Sequence, residues 1–253
     1  MDIIFSSPYF IALLFFVIAF AYSSVGLGGG SSYTALMAIL GFNTLTIPML
    51  SLSLNLVVTT IGSVNFIRNK HANIKLILPF LLSSMPMAYL GGSLQLAKEM
   101  FFIVLWLSLI FVAARIYFWK DTGFSLNLNA QQKISISVMA GAVLGLVAGI
   151  VGIGGGIYLV PLILILGLGS AKEAAACGAI FVWLNSMMGI VSRFQHNPVS
   201  FNEYIPLIVA ALLGGFAGSF MGSTRFDAKL MEKILGGIIL IAITLLTRKL
   251  FFS

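Results

Sequence analysis

The sequence predicts an all-α polytopic integral membrane protein made of two inverted repeats. Each repeat reads as a glycine-broken helix hairpin followed by three spanning helices. Three observations carry this: the scarcity and placement of charge, the length of the apolar runs, and a glycine pentad that recurs at a fixed offset. Of 253 residues, 60% are hydrophobic and 8% charged, and the mean hydropathy is +1.09. A soluble domain carries roughly a quarter charged residues, because water must solvate its surface. Lipid is the solvent that this composition suits. Asp2, Glu99, Asp121, Glu173, Glu203, Asp227 and Glu232 all lie at the ends of apolar runs, and the lysines and arginines do the same. A hydrocarbon core about 30 Å thick demands about 20 such uncharged residues per helix. The runs are continuous rather than alternating, which argues against a spanning β-barrel.

The pentad Gly26-Leu27-Gly28-Gly29-Gly30 returns as Gly152-Ile153-Gly154-Gly155-Gly156, an offset of 126 residues. The same offset carries Leu40-Gly41-Phe42 onto Leu166-Gly167-Leu168, and Gly92-Ser93 onto Gly218-Ser219. Duplicated halves are a habitual construction of transporters.

The first repeat, residues 1–119, opens with an apolar run over 9–25. Ala19-Phe20-Ala21 has the form of a signal-peptidase site, but the residues before the run hold Asp2 and no Lys or Arg, so it reads as a structural span. The pentad then breaks the helix, since each glycine costs about 1 kcal/mol against alanine. The next run, 31–40, is too short to cross a bilayer alone. Helix, unwound corner and short returning helix therefore give no net crossing. Runs over 45–66, 76–95 and 101–119 complete three crossings. Residues 120–133, with Asn127, Asn129, Gln131 and Gln132, form a polar linker.

The second repeat, 134–253, follows the same order with runs at 134–151, 157–168, 173–192, 204–222 and 231–250. An odd number of crossings per repeat inverts one against the other. With the N-terminus outside, the inside loops hold Arg68, Lys70, Lys75, Arg115, Lys120, Lys133, Lys172, Arg225, Lys229 and Lys233. The outside keeps Lys98, Arg193, Arg248 and Lys249, a distribution that obeys the positive-inside rule.

That rule also accounts for the net charge of +7, and no basic cluster is dense enough to suggest nucleic acid. The single cysteine, Cys177, gives no disulfide framework. There is no Ser-His-Asp grouping, His-Glu-x-x-His motif or paired carboxylate within a run, which argues against an enzyme. His71 and His196 lack companions at metal-ligand spacing, so neither metal nor cofactor is expected. No acid lies within a span to couple protons.

A glycine-rich loop before a helix invites a nucleotide-binding reading, but this one lacks the Rossmann spacing and the Walker lysine. Its physical content remains. Unwound backbone is tolerated inside a membrane only where it is buried in protein or lines a cavity. The helix starting at each corner aims free amides and a positive dipole end into that space. With no charged residue mid-span, a bound ion must be held by neutral groups, and helix N-termini suit an anion. The candidate substrate-binding residues are Gly26, Gly28, Gly29, Gly30, Ser31 and Ser32 at the first corner, with Gly152, Gly154, Gly155 and Gly156 at the second. Ser51, Asn55, Thr59 and Gly62 share one helical face, and Cys177, Asn185 and Gly189 in the partner run occupy the positions equivalent to Ser51, Thr59 and Ser63. Asn55, Thr59, Asn185 and Ser186 are therefore candidates to line the same cavity. The competing reading is that the glycines permit close packing and the polar groups bond between helices. Arg68 and Arg193 end these two runs on opposite sides. They are candidates for the mouths of the pathway, although interfacial anchoring is the commoner role.

The pattern around both pentads resembles the sulfite exporter TauE/SafE family of membrane permeases. The likeness lies in Gly152 to Gly156 followed by Pro161-Leu162, and in Leu213-Gly214-Gly215-Phe216-Ala217-Gly218. The first repeat shares Gly26 to Gly30, Gly41 and Leu90-Gly91-Gly92, but has Ala35 where the second has Pro161. The resemblance covers nearly the whole chain. It implies a multi-pass permease of a bacterial inner membrane that carries a small anion such as sulfite, sulfoacetate or another organosulfonate. Alternating access of one repeat against the other is the expected mechanism. A passive anion channel and a non-transporting membrane subunit are the alternatives, and monomer and homodimer are both open.

Overall fold

The computed structural model describes residues 8–24, 28–68, 70–118, 128–196, 202–222 and 228–252, and all regular structure among them is helical. The first of the two repeats read from the sequence contains α1 (Pro8–Ser24), α2 (Gly30–Ile39), α3 (Thr46–Arg68), α4 (Ile74–Ser93) and α5 (Lys98–Phe118). The second comprises α6 (Ala130–Val151), α7 (Gly156–Ile165), α8 (Ala171–His196), α9 (Ile205–Gly222) and α10 (Ala228–Phe251), with a 3-10 turn at Asn202–Tyr204. Among the described residues, α3, α4, α5, α6 and α8 are long and apolar enough to cross a membrane. Many large apolar side chains point outward, Leu82, Phe111, Met139, Val143, Phe216 and Ile241 among them, which suits a lipid surround.

Both ten-residue helices begin in the glycine corners, as the pentads predict. The sequence reading needs a change at α6. Its first turn is Ala130 to Lys133, so Gln131 and Gln132 belong to a helix rather than to the linker. The cause is a reciprocal capping box: Gln132 N donates to Asn129 Oδ1 at 2.8 Å, and Asn129 N donates to Gln132 Oε1 at 3.0 Å. At 22 residues, α6 is long enough to span by itself. The rest of the linker, 119–127, lies outside the described residues.

The repeats are held together by exchange. α6 lies against α4 of the other repeat along Gly141, Gly145 and Gly149. A methyl on these glycines would sit 2.5 Å from Phe80 O, 2.2 Å from Ser84 O and 2.2 Å from Ala88 O. α9 meets α1 in the same manner: methyls on Gly214 and Gly218 would lie 2.2 Å from Phe16 O and Phe20 O. Lipid supplies no hydrophobic drive between helices, so close backbone approach through small residues is what binds such pairs. Residue numbers rise together along both pairs, so each runs parallel. At the centre, α3 and α8 run antiparallel, with Gly62 beside Ala179 and Leu52 beside Gly189. α5 packs on α10, where Trp106 Nε1 donates to Thr247 Oγ1 at 2.8 Å.

Candidate functional site

The second corner is built from backbone that only glycine adopts readily. Gly152, Gly154 and Gly155 have φ of 86°, 82° and 79°, in the left-handed region where a Cβ is penalised. Gly155 caps α7 with no side-chain bond. The amides of residues 153–157 have no hydrogen-bond acceptor among the described residues. Left-handed Gly155 followed by helical Gly156 turns successive N–H groups toward one side, the geometry of an anion-binding nest. At the first corner Gly29, with φ 87°, caps α2 in the same way. Gly26 lies outside the described residues.

The two corners meet. A methyl on Gly30 would lie 2.4 Å from Ile153 O and 2.5 Å from Asn55 Nδ2. One on Gly154 would lie 2.9 Å from the same Nδ2 and 2.8 Å from Val182 Cγ1, and one on Gly28 would lie 2.7 Å from Asn55 Oδ1. Asn55 and Val182, near the middle of α3 and α8, thus sit between the corners.

One hydroxyl ties the corners together. Ser51 Oγ donates toward Gly152 O at 2.8 Å and lies 3.2 Å from Gly30 O. Thr34 Oγ1 donates to Gly30 O at 2.6 Å, and Asn55 Nδ2 donates to Gly152 O at 3.2 Å. The carbonyls of Gly30 and Gly152 are thereby satisfied, while the amides of 153–157 are left over.

The remaining candidates divide. Ser31 and Ser32 hydroxyls are both bonded to Tyr22 OH, at 2.6 and 2.9 Å. Thr59 Oγ1 donates to Asn55 O in its own helix at 2.7 Å, so only its methyl faces Gly28. Asn55 Oδ1, Asn185 Oδ1 and Ser186 Oγ are buried without a partner among the described residues. Each such atom costs about 1–3 kcal/mol in a dry interior. Val182, Asn185 and Ser186 follow i, i+3, i+4 spacing and share a face of α8. Every residue from Gly28 to Ala35 and from Gly152 to Leu159 is buried. The corners are enclosed by protein in this conformation. A cavity of about 410 Å³ opens on the outer side of α7, an apolar groove lined by Phe111, Val143, Tyr158 and Pro161 and by none of the corner glycines.

The two arginines differ sharply. Arg68 is exposed at the end of α3. Arg193 is 2% exposed, and its Nη2 donates to Gly149 O at 2.7 Å and Ile150 O at 2.9 Å, in the last turn of α6. It is shielded from solvent, unlike Arg68. Sequence reasoning also missed Val182, which carries no polar signal, and Tyr22, whose bonds to Ser31 and Ser32 require α1 and α2 to fold together.

The chain matches the sulfite exporter TauE/SafE family over residues 11–246. It is 31% identical over 238 residues to the "Probable membrane transporter protein y4hK" of Sinorhizobium fredii, covering 92% of this chain and 95% of that one. It is 28% identical over 136 residues to the "Probable membrane transporter protein YunE" of Bacillus subtilis, covering 54% of this chain and 47% of the other. No solved structure matches.

Proposed function

This chain belongs to the sulfite exporter TauE/SafE family of membrane transporters, and we propose that its cargo is a small sulfur-containing anion such as sulfite, sulfoacetate or another organosulfonate. The observation that carries the reading is the run of amides 153–157, left without acceptors where the two corners and Asn55 come together. Backbone donors bind an oxyanion without a charged side chain mid-span, each helix end contributing about 0.3–2 kcal/mol. The unpaired amide and hydroxyl oxygens of Asn55, Asn185 and Ser186 supply further contacts around it.

The proposed mechanism is alternating access across a bacterial inner membrane. The helices α3 and α8 hold equivalent places in the two repeats and run antiparallel, which supports an inverted arrangement. Repeats so related open to either side by rocking about the shared site. The enclosed corners correspond to the closed stage of that cycle, with Ser51 as the contact that must loosen when the repeats separate.

The test is counterflow in proteoliposomes loaded with sulfite or sulfoacetate. The wild-type protein should exchange the anion saturably, and Asn55→Ala and Gly154→Leu should not. Flux that rises without saturation favours a channel, and wild-type exchange by both variants puts the site elsewhere.

A further inference from the structure

We propose that Arg193 is a specificity-determining residue of the anion site, supplying the full positive charge that makes the second corner the anion-binding one. This deepens the transport reading and rests on it. Arg193 is the one charged side chain among the described buried residues. Among the described residues it has no carboxylate partner, and its Nε has no hydrogen-bond partner. Two carbonyls from the end of α6 hold its Nη2, two and three residues before Gly152.

Each corner joins a helix C-terminus to a helix N-terminus, so their partial charges of about half a unit oppose one another. A corner of bare backbone is therefore close to neutral overall. At the second corner the guanidinium sits on the carbonyl end of α6 and outweighs it. The positive N-terminus of α7 and the amides of 153–157 then act on an anion unopposed. Among the described residues, no such group stands at the first corner. The position 126 residues before Arg193 is Ile67, which is 56% exposed, and neighbouring Arg68 is exposed as well. A helix end at this place in the fold thus does not demand an arginine cap, and the burial of Arg193 needs another reason.

Burying a cation without a counter-ion is costly, and such a charge is kept where something negative compensates it. The carbonyl end of α6 provides part of this, and a bound anion would provide the rest. A small cavity of about 10 Å³, roughly the space of one water, is lined by Arg193 together with Thr44, Phe101 and Ile150. The α2–α3 connection that carries Thr44 is the segment across that space.

The experiment measures the dissociation constants of sulfite and sulfoacetate by calorimetry on purified wild-type, Arg193→Gln and Arg193→Lys proteins, with thermal unfolding recorded for each. Glutamine keeps a donor for the α6 carbonyls but not the charge. Its affinity should fall about 10- to 100-fold, the range for one charge-assisted interaction. Lysine should stay within a few fold at neutral pH. Should the glutamine variant not fold, the lysine variant decides alone. An ammonium gives up its proton at lower pH than a guanidinium, so the lysine variant's affinity for sulfoacetate, whose own charge is constant there, should fall between pH 8 and 11 while that of the wild type holds. A glutamine variant with wild-type affinity, or a lysine variant with affinity independent of pH, overturns the assignment and leaves the transport reading in place. A wild-type protein that binds neither anion overturns both.

Discussion

Replacing Gly30 by alanine isolates the contact between the two corners. Gly30 is the first residue of α2 and does not have a positive φ, so alanine is conformationally acceptable there. The effect is steric. The new methyl would lie 2.4 Å from Ile153 O, a backbone atom of the other repeat, whereas ordinary contact begins at 3.4 Å. The corners must therefore move apart by about 1 Å, the difference of those distances. Asn55 Nδ2, at 2.5 Å, must swing away as well, which breaks its bond to Gly152 O. Overpacking of this kind costs about 1–3 kcal/mol, too little to unfold the bundle. A 1 Å misplacement of binding groups, however, is worth about two orders of magnitude where geometry decides the outcome. Thermal unfolding should thus change modestly while sulfite counterflow falls at least tenfold. Gly237→Ala is the control, because nothing lies within 4 Å of a methyl there. If Gly30→Ala exchanges anions as the wild type and the control do, contact between the corners is not what builds the site.

Two further substitutions probe the supports around it. Ser51→Ala and Asn55→Ala each remove one donor from Gly152 O, and only together do they strip that buried carbonyl of both. The double variant should lose about 1–3 kcal/mol more than the two single losses combined, measured by denaturation in a double-mutant cycle. Gly145→Ala places a methyl 2.2 Å from Ser84 O between α6 and α4. It should lower thermal stability and detergent-extracted yield well beyond any effect on anion affinity in the protein that folds.

The sequence announces the corners and conceals their company. Three glycines in succession, twice over at one offset, signal broken helices, and α2 and α7 start at Gly30 and Gly156 as that signal implies. The reason is local: the penalty for glycine in a helix acts on the chain wherever it is. Which helices then touch is a matter of shape. Gly145 against Ser84 and Gly214 against Phe16 join one repeat to the other, and no periodicity within a run identifies a partner in another. The same limit applies to side chains. Ser31, Ser32 and Thr59 carry hydroxyls of the expected chemistry, yet Tyr22 and a helix carbonyl occupy them. Arg193 reads as a residue near a helix end because it is followed by polar residues. α8 continues to His196, and this extra turn carries the guanidinium inward onto α6. Asn55 was legible from the polar face that it shares with Ser51 and Thr59 at helical spacing in a spanning run.

The most direct test uses Ser186, buried, with a hydroxyl that has no partner, so that cysteine can replace it without breaking a bond. In a Cys177→Ser background, Ser186→Cys protein in proteoliposomes is treated with a membrane-impermeant thiol reagent from the outside and, separately, from the lumen. The account predicts slow modification from both sides, suppressed in each case by saturating sulfite or sulfoacetate. Modification from one side only, or at a rate the anion leaves unchanged, contradicts a shared site between the glycine corners.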